Sequence, residues 1–254
     1  MKVLLSPAKS IDTSSIPDVK DSSVSSFLKE SEQLVNKLKK FSVKKLESTM
    51  HISRDLAELN VERFSNWTLP LERTETIVPA AFAFNGEVYR GLDIQSLSDE
   101  ELAKAQSMIR ILSGMYGILK PLDLMYPYRL EMGTKWQITP KQKNLYQFWG
   151  LKLSKFLNAE MEKDDVLVNL ASSEYFKAID KKTIKAKVIT PVFKEFKNGE
   201  YKIVMMYAKH ARGAMARYIV QNVITKADDL KLYTVDGYSF DVNQSTEEEW
   251  VFTR

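Results

Sequence analysis

The chain has 254 residues, 44% of them hydrophobic and 28% charged, the balance of a soluble globular protein long enough to bury a sizeable core. It holds no cysteine and only two histidines, His51 and His210, which excludes thiol nucleophiles, disulfides, iron–sulfur clusters, Cys-ligated zinc and multi-histidine metal sites. The net charge of +4 is uneven: seven acids against two cations between Asp228 and Arg254 leave about +9 on the first 227 residues.

Read in chain order, Val3 to Leu5 is a short buried strand ending at Ser6-Pro7. The apolar run of MKVLLSPAKS is too short for a signal peptide, and no stretch approaches a membrane span, so a cytoplasmic protein without membrane contact is expected. Residues 10–26 are rich in Ser, Asp and Pro and read as an exposed loop. Apolar spacing predicts a helix over Phe27–Leu38, a turn or two more around Val43–Glu47, and a third helix from Arg54 to Phe64 with Ser53 as its N-cap. Ile77 to Phe84 reads as a strand, with a turn at Asn85-Gly86. Ser98 and Glu101 have the spacing of a capping box for a helix running to Met108. Met108, Ile109, Ile111 and Leu112 then supply a strand that Ser113-Gly114 closes. Asn144 to Met161 is one amphipathic helix by its pattern, and Val166 to Leu170 a buried strand, with a short helix over Glu174–Ile179. Val188–Phe196 and Tyr201–Tyr207 pair as a hairpin about Asn198-Gly199. A helix is expected over Ala211–Ile224, and strands at Leu230–Val235 and Trp250–Phe252. Strands interleaved with helices, without a repeat or a Pro/Gly-rich linker, indicate one α/β (mixed α+β) domain with a mixed sheet covered by helices.

Five segments carry candidate chemistry. Ile111 to Thr134 packs Tyr116, Tyr128, Arg129 and Glu131 among Gly117, Pro121, Pro127 and Gly133, and reads either as a stiffened binding surface or as an ordered loop over the core edge. Strand ends at Ser6-Pro7-Ala8-Lys9 and Asn169 to Glu174 would meet in the crevice of an α/β sheet; the alternative is that Ser172 or Ser173 serves only as a helix cap. Lys209, His210, Arg212 and Arg217 gather near an expected helix start, where an anion would meet fixed cations. Lys9, Tyr116, Tyr128, Arg129, Glu131, Asn169, Glu174, His210 and Arg212 are accordingly expected to converge on one cleft able to take a nucleotide-like small molecule. Separately, Leu46 to Phe64 reads as helix, tight turn, helix, either an ordinary αα-hairpin or an element that holds a nucleic-acid phosphate. Lysines at 37, 39, 40, 44 and 45, and again at 177, 181, 182, 185 and 187, form solvated faces or a surface for a polyanion.

Five stretches taken together, LLSPAKS, FNGEVYRGLD, ILSGMYGILKPLDLMYPYRLEMGT, NLASSEYFKAI and KHARGAMARYI, resemble the bacterial peroxide stress response protein YaaA family over essentially the whole chain. The resemblance implies a cytoplasmic protein that helps cells survive hydrogen peroxide by limiting free intracellular iron. It also implies a single mixed α/β domain with a positively charged cleft, a helix-hairpin-helix element and DNA binding. That element falls at about residues 42–64, with Lys44, Lys45, His51, Ser53 and Arg54 as DNA-binding candidates; His51 and Ser53 stand where such turns carry glycine. No catalytic residue, metal or cofactor is carried over. The expected function is a DNA-binding stress-protection protein, and the alternative is an enzyme acting on a nucleotide or nucleobase in the cleft.

Overall fold

The computed structural model describes every residue except Ser15, Asp18 and Lys20, so the expected loop over residues 10–26 lies partly outside the described residues. Its elements in order are β1 (Lys2–Leu5), β2 (Ser10–Ile11), α1 (Leu28–Leu38), α2 (Val43–Met50), α3 (Arg54–Asn66), β3 (Val78–Pro79), α4 (Ala80–Ala83), β4 (Phe84–Asn85) and α5 (Glu87–Leu92). There follow α6 (Asp99–Met108), β5 (Ile109–Ser113), β6 (Gly117–Leu119), β7 (Leu124–Met125), α7 (Leu145–Trp149), α8 (Lys152–Ala159), β8 (Val166–Asn169) and α9 (Ser173–Phe176). The chain closes with β9 (Lys187–Lys197), β10 (Glu200–Lys202), α10 (Met205–Gln221), β11 (Ser239–Phe240) and β12 (Glu249–Thr253).

An eight-stranded mixed sheet organises these elements in the order β11-β12-β9-β8-β1-β5-β6, with β10 pairing against β9. Strands β5, β1, β8, β9 and β12 run parallel, and β6, β10 and β11 join antiparallel. Burial on both faces explains why Val3, Leu4, Leu5 and Val166, Leu167, Val168 form unbroken apolar runs instead of alternating. In sequence order the parallel strands lie second, first, third, fourth, fifth. The chain leaves β1 on one side to make β5 and returns on the other to make β8. Order therefore reverses between β1 and β8, where the carboxyl ends of neighbouring strands diverge and leave a crevice.

Local signals explain several helix starts. Ser42 accepts from the Lys45 N–H at the start of α2, and Ser53 accepts from the Leu56 N–H at the start of α3. Ser98 and Glu101 exchange both bonds of a capping box. The turn after β9 has φ +57° at Asn198 and +83° at Gly199, the left-handed pair that a tight hairpin needs.

Several expected elements differ. Residues 77–84 are not one strand: two-residue β3 and β4 flank the single turn α4, because Pro79 cannot donate to a ladder and every side of the run is buried. The amphipathic stretch from Asn144 divides into α7 and α8 at Gly150, whose φ of +50° interrupts the helix. Helix α10 begins at Met205, not Ala211, so Lys209, His210 and Arg212 stand one to two turns inside it. Leu230 to Val235 is not a strand; Ala227–Leu232 form a 3-10 turn. Helix α5 lay hidden behind the Asn85-Gly86 turn.

Helices α5 and α10 touch backbone to backbone. A Cβ placed on Gly213 would lie 1.8 Å from the Val88 carbonyl oxygen, and one on Gly91 would lie 2.1 Å from the His210 carbonyl oxygen. Intrinsic helix propensity favours Ala over Gly by about 1 kcal/mol. The overlap with immobile backbone outweighs that gain, since overpacking costs about 1–3 kcal/mol or more. Gly213→Ala should therefore lower the thermal midpoint by up to about 8 °C, given about 2–4 °C per kcal/mol for a chain of this size. An unchanged or raised midpoint in a melting experiment would mean the two helices can separate without loss.

Candidate functional site

The crevice between β1 and β8 opens into a cavity of about 530 Å³. Four segments wall it: Ser6 to Ser10 after β1, Leu170 and Ser172 to Tyr175 after β8, Asn85 to Tyr89 at the start of α5, and Met205, Lys209 and Arg212 on α10. The last three are spaced by four and three residues and so share one helical face. Its volume falls within the range of small-molecule sites, about 300–1,000 Å³.

The walls are tied together at the strand ends. Ser6 Oγ accepts from the Ser172 N–H at 2.8 Å and donates to Ser172 Oγ at 3.3 Å. The Tyr89 hydroxyl donates to the Ser6 carbonyl at 3.1 Å. Glu174 Oε1 accepts from the Gly133 N–H at 2.9 Å, and a Cβ at Gly133 would crowd that oxygen at 3.1 Å. Burial pushes the Tyr89 and Tyr175 hydroxyls above the usual tyrosine range, so both remain neutral hydrogen-bonding groups at neutral pH.

The charged groups are unequally satisfied. Lys9 pairs with Glu131 at 3.0 Å, and Arg129 reaches the same carboxylate through two nitrogens at 3.1 and 3.0 Å. Glu87 is bonded by Arg90. Arg212 differs: its Nε is buried with no hydrogen-bond partner, and among the described residues no carboxylate forms an ion pair with it. Desolvation draws its pKa below the usual arginine value, yet a guanidinium stays protonated at neutral pH.

Of the residues expected to converge, Lys9, Glu174 and Arg212 line the cavity, and Arg129 and Glu131 join it through Lys9. Four do not. Tyr116 is fully buried, its hydroxyl accepting from Trp67 Nε1 and from the Tyr126 N–H, each at 3.0 Å. Tyr128 lies behind the wall, with its hydroxyl 2.6 Å from Ser113 Oγ. Asn169 is spent on the backbone and sheet, accepting from the Ala171 N–H and donating to Thr190 Oγ1. His210 faces a separate hollow of about 300 Å³ on the far side of α5, between Glu87 at 3.8 Å and Asp236 at 3.7 Å. The tyrosines of the central motif thus belong to the core because its glycines bring backbone close: a Cβ on Gly114 would lie 2.4 Å from the Leu130 carbonyl oxygen.

Asn85, Glu87, Tyr89 and Tyr175 are wall residues that the sequence reading passed over. The signal was present for α5, since Glu87 after Asn85-Gly86 is an acid in a first helical turn followed by apolar Val88 and Leu92. Lys44, Lys45, His51, Ser53 and Arg54 line no part of the cavity and are all exposed, the two lysines in the first turn of α2 and the other three at the three-residue turn and the start of α3. Among the described residues, no group of three or more His, Cys, Asp or Glu side chains is placed to hold a metal ion, and no helix is long and apolar enough to cross a membrane.

Comparison with known proteins places this chain beside a single group. Residues 1–244 match a family described as peroxide stress protein YaaA. A UPF0246 protein of Ralstonia pickettii (strain 12J) is 48% identical over 256 residues, covering 100% of this chain and 99% of the relative. One from Flavobacterium psychrophilum is 48% identical over 254 residues and covers 100% of both. Another, from Saccharophagus degradans, is 46% identical over 257 residues, covering 100% of this chain and 99% of the relative.

Tyr116 offers a direct check on its placement in the core. Tyr116→Phe leaves the Trp67 and Tyr126 donors without their acceptor, and a buried unsatisfied group costs about 1–3 kcal/mol. The thermal midpoint should fall by roughly 4–10 °C at about 2–4 °C per kcal/mol. A tyrosine displayed at a ligand surface would give almost no shift, and that result would return Tyr116 to the site.

Proposed function

This chain belongs to the peroxide stress protein YaaA family, and we propose that it serves the response to hydrogen peroxide in the cytoplasm as a DNA-binding protein that does not read sequence, helping to limit free intracellular iron and oxidative DNA damage. The observation that carries the DNA reading is the exposed run of cations from the end of α1 to the start of α3. Lys39 and Lys40 after α1, Lys44 and Lys45 in the first turn of α2 and Arg54 at the start of α3 are all exposed, and Glu47 is the one acid between Lys37 and Arg54. His51 closes α2 in the left-handed conformation, φ +52°, so the tight turn forms although glycine is absent. Helix α3 then begins three residues later, presenting its first N–H groups beside Arg54. A helix-hairpin-helix holds a backbone phosphate in this manner.

The basic character stops early in α3, where Asp55, Glu58 and Glu62 follow and Arg54 bonds Glu58 at 2.8 Å. Contact with DNA is therefore confined to the turn and its approach, and the Arg54–Glu58 pair must be shared with a phosphate. Such contacts fix position on the backbone and carry no base information. They also connect DNA to iron chemistry. Neutralising phosphates releases the cations condensed on the duplex, and ferrous ions held there are the ones that would turn peroxide into hydroxyl radical beside the bases.

If about five phosphates are neutralised, log K for duplex DNA should fall with log salt at a slope of roughly −4 to −5. Replacing Lys44, Lys45 and Arg54 with Ala should remove about 2–3 units of that slope and weaken binding at low salt. Exposed charges add only about 0–1 kcal/mol per pair to stability, so the thermal midpoint should hardly move. Fluorescence anisotropy with labelled duplexes across a salt series reads both quantities. Undiminished affinity in the triple variant would remove the turn from the interface, and salt-independent binding would remove the phosphate account altogether.

A further inference from the structure

The cavity between β1 and β8 holds an element that its own fold does not use. Arg212 presents a guanidinium whose Nε is shielded from solvent and bonded to nothing. Its neighbours have other engagements: Glu131 serves Lys9 and Arg129, Glu87 serves Arg90, and Glu174 takes the Gly133 N–H. A half-buried guanidinium whose shielded Nε has no acceptor and which has no counter-charge is costly, because desolvation penalises the charge and nothing returns the loss. Structural arginines in this protein show the contrast. Arg110, the more deeply buried of the two, binds Glu160 through two nitrogens at 2.6 and 3.0 Å. Arg212 stands beside Gly213 at the close crossing of α5 and α10, and it lines a cavity of about 530 Å³.

We propose that this cavity is a binding site for a small organic oxyanion, with Arg212 as the anchor of its phosphate or carboxylate group. Lys209, three residues earlier on the same face of α10 and lining the same cavity, supplies the second cation. The fork of a guanidinium matches two oxygens of either group, which a point charge cannot do. Tyr89 and Tyr175 line the remainder, and the carboxylates of Glu87 and Glu174 add acceptors to it. The body of the ligand should therefore be flat or apolar enough to lie against a tyrosine and should carry N–H or O–H donors. A phosphorylated nucleoside has these features, and so does an amino-bearing carboxylic acid. The inference stands on the cavity and does not rest on DNA binding at the α2–α3 turn.

Calorimetric titration of the full chain with adenosine 5′-monophosphate, adenosine, inorganic phosphate and glutamate separates the sources of the oxyanion. Binding of the monophosphate with adenosine silent identifies a phosphate ester; binding of glutamate alone identifies a carboxylate; inorganic phosphate should bind more weakly than either. Arg212→Gln should weaken the bound probe by roughly 10- to 100-fold, the range for losing a charge-assisted bidentate contact. Arg212→Lys should restore part of it. Without ligand, Arg212→Gln should melt at or above the temperature of the unaltered protein, because an unpaired buried charge has been removed; an arginine with a structural role would give the opposite. Should that variant fail to fold, Lys209→Gln, at an exposed position, should still weaken the probe several-fold. DNA affinity should be unaltered in either variant and lost only with the turn cations. Absence of binding by all four probes, or equal binding by the unaltered and Arg212→Gln proteins, overturns the proposal.

Discussion

The crossing of α5 and α10 sets the dimensions of everything at the centre of this molecule. Two glycines, Gly91 and Gly213, occupy the contact, and each lies where a Cβ would enter the opposing helix backbone. Helices that meet through side chains stand about 8–10 Å apart; glycine at the crossing lets them come nearer. Two consequences follow from that approach. The face carrying Met205, Lys209 and Arg212 is drawn over the ends of β1 and β8, and Glu87 and Tyr89 at the start of α5 are drawn onto the same space. Gly86 extends the principle to the sheet, since a Cβ there would sit 3.2 Å from the Ala8 side chain in the segment leaving β1. The cavity is thus bounded by backbone, which does not rearrange as side chains do.

A second layer of polar contacts keeps that frame rigid from behind. The central motif turns β5 back as β6, and Ser113 bonds both the Tyr128 hydroxyl and the Tyr116 N–H inside the turn. Tyr116 in turn binds Trp67, after α3, and the backbone at Tyr126. Ser25 reaches the carbonyls of Tyr116 and Ile118 from the segment before α1. Each of these groups is buried and partnered, as a polar network in a low-dielectric interior must be if it is not to destabilise the fold. The motif then delivers Arg129 and Glu131 to its exposed end, where Glu131 meets Lys9. The arrangement makes the motif a support for the cavity and, at one edge, part of its rim.

Fold class and the strand ends were legible in the sequence because apolar runs bounded by Ser, Pro and Gly have one physical reading in a parallel sheet. Capping chemistry at Ser53 and Ser98 was equally plain, since it depends on residues three positions apart. What the sequence concealed depends on tertiary approach. A tyrosine between glycines looks the same whether its hydroxyl meets water or a buried indole, so Tyr116 and Tyr128 read as surface groups. Asn169 sits at a strand end beside the crevice, but its amide is consumed locally by Ala171 and Thr190. His210 and Arg212 are two residues apart, so the helix turns them through about 200° and only one can face the cavity. Lys9, Glu174 and Arg212 meet because the sheet order, not their spacing, brings them together.

The protein's cations therefore occupy two different physical settings. Those from the end of α1 to the start of α3 are exposed lysines and one arginine, whose field acts over distance and is screened within about 8 Å at physiological ionic strength. Arg212 acts only on what touches it, in a pocket where the effective dielectric is lower and salt penetrates little. The first setting suits a long, repetitive polyanion that must be met quickly and released readily; the second suits one compact group that must be held in a fixed orientation. Raising the salt concentration weakens the first far more than the second, because counterion release governs one and desolvated hydrogen bonding governs the other.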